Sequence, residues 1–232
     1  MQSLTTALQL ILVLTDDWDN IGGRLYLFER DTIHAPWRIL KPAIQVDVGK
    51  NGMAWGYGLH DPDHLQGNFK KEGDARSPAG IFSLGPVFGW SSETSHLKMP
   101  YIKITPDLEW VDDPASDYYN QNVGSFVHDR DWSSSEKMLE IGDLYEWGIH
   151  VGHNIDPVVK GKGSCIFMHV LHEYGKGTGG CTAMRKNDLE ELILWLDQQK
   201  QPKLVQLPLE AYRQYQSQWH LPQIQEMIVK ED

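Results

Sequence analysis

The chain has 232 residues, 41% hydrophobic and 23% charged, with nine Trp, nine Tyr and six Phe, which is ample material for a self-supporting core. Its formal net charge of −11 opposes binding to a polyanion, and no Lys/Arg run with interleaved aromatics offers a local exception, so no nucleic acid is expected as a partner. No Pro/Ser-rich linker or charge block divides it, which predicts a single domain over residues 1–232.

The longest apolar run, ALQLILVL from Ala7 to Leu14, is far too short for a membrane span and reads as a first buried strand. The Met-Gln-Ser before it lacks the basic start of a secretion signal. RLYLFER (24–30), AIQVDVG (43–49), YIKIT (101–105) and WGIHVG (147–152) mix alternating or β-branched residues with Gly, Asp and Pro boundaries. They predict a mainly antiparallel β domain. Between them KKEGDARSPAGIFSLG (70–85) reads as a loop followed by a short strand, because Gly73-Asp74 and Ser77-Pro78 are turn signals.

Two capping-box spacings predict helices: Ser133 with Glu136, and Asn187 with Glu190. The second opens DLEELILWLDQQ, where Leu189, Leu192, Ile193 and Leu196 share one helical face. LPLEAYRQYQSQW (207–219) predicts a last helix, with Pro208 in its first turn.

The densest chemistry lies in GSCIFMHVLHEYGKGTGGCTAM, 163–184. The chain has two cysteines, and Cys181 ends a glycine-rich bend a short distance after His169. A thiol attacks as thiolate, and a free pKa of about 8.5 leaves little of it ionised at neutral pH without a nearby base or cation. CIFMHVL has the apolar content of a buried strand, which would hold His169 on a rigid element. Gly179 and Gly180 permit close approach of a substrate, and their N–H groups with that of Cys181 could face an oxyanion. On residue pattern alone, a small residue in a tight loop and a core histidine explain the pair as well as a nucleophile and its base do. Cys165, beside Ile166 and Phe167, reads as a buried inert thiol. Metal is the third reading, since His150/His153 and His169/His172 are spaced by three, with Glu173 and His128 nearby. Both pairs fall in strand-like segments, where residues three apart point to opposite faces, so neither a metal nor another cofactor is expected.

The segment SCIFMH…GTGGCTAM resembles the catalytic signature of the YkuD-type L,D-transpeptidases, bacterial cell-wall enzymes that place a His on a strand and then [Ser/Thr]-x-Gly-Cys. That last motif is Thr178, Gly179, Gly180 and Cys181 here. LVLTDDWD, GKNGMAWGYGL, EGDARSPAGIFSLG, WVDDPASDYYN, DLYEWGIHVGHN and KLVQLPLEAY extend the likeness in order along nearly the whole chain. The resemblance implies an α+β, mainly β fold, a β-sandwich with a few peripheral helices. It further implies Cys181 as nucleophile, His169 as base, the carbonyl of Val170 as the group orienting that base, and N–H groups around Gly180 and Cys181 as oxyanion hole. The expected substrate is the peptidoglycan stem peptide, the expected product a cross-link. Water in place of an acceptor amine would make the same site an L,D-carboxypeptidase or amidase, and a non-catalytic wall-binding module and a zinc hydrolase are the remaining alternatives. A periplasmic or cell-envelope location and a monomer are expected. The better-known branch has a His before Gly-Cys and an Arg two residues after the Cys, where this chain has Gly179 and Ala183. Thr178 and Gly179, together with His153, Asn154, His172 and Arg185, are the expected substrate contacts.

Overall fold

The computed structural model describes residues 4–224. In chain order the first strands are β1 Gln9–Thr15, β2 Gly22–Glu29, β3 Arg38–Ile39, β4 Ile44–Asp47, β5 Met53–Trp55 and β6 Ser77–Gly89. There follow β7 Tyr101–Lys103, β8 Glu109–Val111, β9 Asn122–Val123, β10 Ser135–Lys137, β11 Trp147–Val151, β12 Phe167–Val170, β13 Thr182–Met184 and β14 Lys203–Pro208. The helices are α1 Lys186–Trp195 and α2 Leu209–Tyr215. The protein is mainly β, as the sequence predicts.

The main sheet runs β1-β14-β6-β11-β12-β13-β4-β2-β3, and β1 also pairs with β2, so the pairings close into a circuit. β4 and β13 meet at one residue pair, Asp47 with Ala183. Most ladders are antiparallel, but β1–β14, β5–β6, β6–β7 and β12–β13 are parallel. Every residue of β1 is buried, because β2 and β14 flank it and α2 packs on it, which explains its unbroken apolar run.

Four local expectations change. The strand opened by Ser77-Pro78 is long, reaching Gly89 through Gly85 and Pro86. Its register with β11 shifts between Leu84 and Val87, and this irregularity accommodates a proline that has no N–H for a regular ladder. The helix expected from Ser133 and Glu136 is absent: Glu136 lies in β10, and the Ser133 N–H and hydroxyl both donate to Asp113 Oδ2, at 2.7 and 2.5 Å. α1 does form and buries Leu189, Leu192 and Ile193, but its cap is Arg185, and Asn187 sits inside the first turn. Residues 203–208, in part expected as helix, form a central strand between β1 and β6, and Pro208 ends it as the cap of α2.

A second small sheet, β10-β8-β9, stands beside the main one. Phe88, Trp110, Met138, Tyr145, Cys165, Phe167 and Cys181 form an apolar cluster that joins it to β6, β12 and the end of the glycine-rich bend.

Candidate active site

The parallel pairing of β12 with β13 sets the site. Met168 lies opposite Thr182 and His169 opposite Ala183, so Cys181, one residue before β13, is delivered to the same end of the sheet as His169. Both residues are 7% exposed, and both line one pocket of about 150 Å³.

The connecting bend is stitched down at several points. Asp47 Oδ2 accepts from the Gly175 and Gly177 N–H groups at 2.7 and 3.1 Å. Thr178 bonds in both directions to the 48–50 segment, donating its N–H to Val48 O and accepting from the Lys50 N–H, each at 2.9 Å. The Thr178 hydroxyl donates to Cys181 O at 2.6 Å and accepts from the Gly180 N–H at 3.0 Å. Ser77 Oγ donates to the same carbonyl at 2.8 Å. Gly180 has φ of +146°, and a Cβ there would lie 3.1 Å from Arg76 O, so a side chain is resisted by both conformation and space.

The Cys181 thiol donates to Cys165 O at 3.4 Å and accepts from the Phe167 N–H at 3.3 Å. Burial pushes it up to about 12, with the nearby Glu136 adding to the rise and the Phe167 N–H and Lys70 opposing it. Burial likewise pushes His169 down to about 4 against the opposing effect of its bond to Val170. The resting pair is therefore a neutral thiol and a neutral imidazole. His169 Nδ1 lies 2.8 Å from Val170 O. A neutral imidazole that donates from Nδ1 keeps its lone pair on Nε2.

Sequence reasoning missed the polar half of the pocket. Lys70, Glu72, Asp112, Glu136, Tyr145 and Ser164 line it with the thiol. The Tyr145 ring meets His169 edge to face, with centroids 5.4 Å apart, and its hydroxyl donates to Glu136. Burial pushes the Glu136 carboxyl up to about 7, opposed by Tyr145 and reinforced by the negative charges of Asp112 and Glu72. Glu72 in turn accepts from the Tyr119 hydroxyl and from Ser164 Oγ. Glu136 and Asp112 are carried by the small sheet and its margin, far from the motif in sequence. The one signal that could have drawn attention to Lys70 and Glu72 is their place in the turn-rich stretch directly before the strand that carries Ser77.

The structure places the other expected contacts elsewhere. His153 is 1% exposed; its Nδ1 accepts from the Tyr57 N–H at 3.2 Å and its Nε2 faces Lys162 O at 3.0 Å. Asn154 donates to Val159 O and Gly163 O and accepts from the Val159 N–H, closing the 154–163 loop upon itself. His172 is exposed after β12. Arg185 lies over the Tyr174 ring at 5.3 Å and lines a different depression with Gln45 and Asp188. Gly179 is exposed and lines the thiol pocket, whereas the Gly180 N–H already has Thr178 Oγ1 as its acceptor.

A family model described as the L,D-transpeptidase catalytic domain, YkuD, matches residues 20–205. The chain belongs to this family. YkuD domains act on the cell wall, and the mainly β fold described above is that of a YkuD domain. No curated protein matches this YkuD chain. It is similar to the crystal structure of the helical cell shape determining protein Pgp2 from Campylobacter jejuni, at 16% identity and a TM-score of 0.38. That likeness covers 88% of this YkuD chain and 51% of the other, so the chain spans about half the length of that structure. No helix among the described residues is long and apolar enough to cross a membrane.

Proposed function

We propose that this YkuD domain transfers acyl groups on peptidoglycan stem peptides through a thioester on Cys181, with His169 as the base. The observation that carries the reading is the joint placement of Cys181 and His169 in one pocket, with Nδ1 of His169 engaged by Val170 O. Family membership supplies the substrate class.

Because both groups rest neutral, attack requires the S–H proton to move to His169 Nε2 as the Sγ–C bond forms. The Val170 carbonyl orients the ring and stabilises the imidazolium that results. Negative charge then builds on the former carbonyl oxygen, and the Cys181 N–H is the donor assigned to it, since the Gly180 N–H serves Thr178. As the C–N bond breaks, the imidazolium returns its proton to the departing amine of the terminal residue. An acceptor amine attacks the thioester and gives a proton to Nε2, and the expelled thiolate recovers that proton. A new amide is formed; with water as acceptor the product is a free carboxylate.

The test is incubation of the protein with a synthetic stem tetrapeptide, with and without a second stem as acceptor. The reading expects loss of the terminal residue and a mass-shifted dimer. Complete stability of the peptide to wild-type protein would refute it.

A further inference from the structure

Several groups in the pocket, Lys70 among them, have no part in the proton transfers above. Lys70 is buried at 2% exposure, yet its ammonium lines the cavity that holds the thiol. Its backbone is anchored through an N–H to Trp55 O at 2.8 Å, and its Nζ donates to Asp74 Oδ1 at 2.8 Å. Asp74 is itself fixed, accepting from the Lys71 and Arg76 N–H groups at 2.7 and 2.9 Å. Two glycines clear the path of the lysine stem. A Cβ at Gly163 would lie 2.8 Å from Lys70 Cε, and one at Gly180 would lie 3.3 Å from Nζ. The ammonium thus ends beside the residue that precedes the nucleophile.

An ammonium has three N–H donors, and Asp74 takes one of them. Among the described residues that line the pocket, Lys70 is the cation, since His169 rests neutral; Glu72, Asp112 and Glu136 are acids. Lys70, with Asp74 on one of its N–H groups, is therefore the cationic donor that a ligand carboxylate entering this pocket would meet, next to Gly180. On a peptide cleaved at its last amide bond, the free terminal carboxylate sits two bonds beyond the scissile nitrogen, within reach of a group placed there.

We propose that Lys70 receives the C-terminal carboxylate of the donor peptide and so restricts the site to the last amide bond of the chain. The inference rests on the reading of Cys181 as the nucleophile and adds to it the residue that reads the chain end. Lys70 is a specificity residue in this role.

The experiment compares two synthetic donor peptides that differ only in the terminal group, free carboxylate or carboxamide, on the full chain. Wild type should favour the acid roughly 10- to 100-fold in kcat/KM, the range expected for a hydrogen bond between charged groups. In Lys70→Met the ratio should collapse toward one through KM for the acid, and Lys70→Arg should restore part of it. An equal fall of kcat on both peptides with the ratio unchanged would overturn the proposal, because it marks an oxyanion or purely structural role. If Lys70→Met does not fold, wild type decides: equal use of acid and carboxamide overturns the proposal. Turnover that survives Cys181→Ala shows separately that the nucleophile reading has failed, and refusal of both peptides by wild type overturns both.

Discussion

The Thr178 hydroxyl bridges two backbone groups that flank the thiol, donating to Cys181 O at 2.6 Å and accepting from the Gly180 N–H at 3.0 Å. The threonine of the motif therefore acts as a clasp on the turn that carries Cys181. Thr178→Val keeps the shape and removes both bonds, leaving the buried Gly180 N–H without its acceptor. The expected cost is about 1–3 kcal/mol in unfolding free energy, with a slower acylation rate. Thr178→Ser should retain both bonds and stay near wild type. Denaturant melts of the two variants check this; a valine variant as stable and as fast as the serine variant would show that the clasp does nothing.

Much of the thiol half of the site was legible because it is local. The apolar run around His169 becomes β12 and the glycine-dense bend brings Cys181 back beside it, both within about one motif length. The acid and cation half was not legible, because Lys70, Glu136 and Tyr145 come together through pairings that connect distant segments. Glu136 shows the difficulty best. Its spacing from Ser133 satisfies a helix-start pattern, yet Ser133 takes Asp113 as its partner and Glu136 pairs across the small sheet with Trp110. His153 and Asn154, candidates for substrate by their place near the motif, hydrogen-bond to the backbone around them.

Glu136 gives a signature in stability against pH. Its folded value of about 7 lies above the ordinary 4.5, so the folded state holds a proton that the unfolded chain has lost in between. Its contribution is full below about pH 4.5 and is lost as pH rises through 7. The change is on the order of 1–3 kcal/mol. Glu136→Gln cannot titrate, and should flatten that decline in a series of thermal melts between pH 4.5 and 8. Parallel curves for wild type and variant would argue that Glu136 is ionised throughout.

The proton inventory of the pair predicts an acylation rate that rises with pH as His169 loses its proton, through an apparent value well below the 8.5 of an isolated thiol. His169→Ala should lose roughly 10²-fold or more and shift the remaining reactivity to alkaline pH, where the buried thiol ionises unaided. Rates of thioester formation with a carbapenem, an acylating agent of this family, across pH 4–10 measure both effects. A variant that reproduces the wild-type profile would leave His169 as a core histidine only.

The proposed mechanism places the acyl group on one particular sulfur, that of Cys181. Cys165 is the internal control: it is buried, its thiol donates to Trp110 O at 3.6 Å, and its own carbonyl accepts from the Cys181 thiol. Both cysteines are free thiols, as a nucleophile requires. The most direct measurement is peptide mapping by mass spectrometry after exposure to a carbapenem, on wild type, Cys181→Ala and Cys165→Ala. A single adduct on Cys181 is expected, retained in Cys165→Ala and absent from Cys181→Ala together with all turnover. An adduct on Cys165, or full turnover in Cys181→Ala, would contradict it.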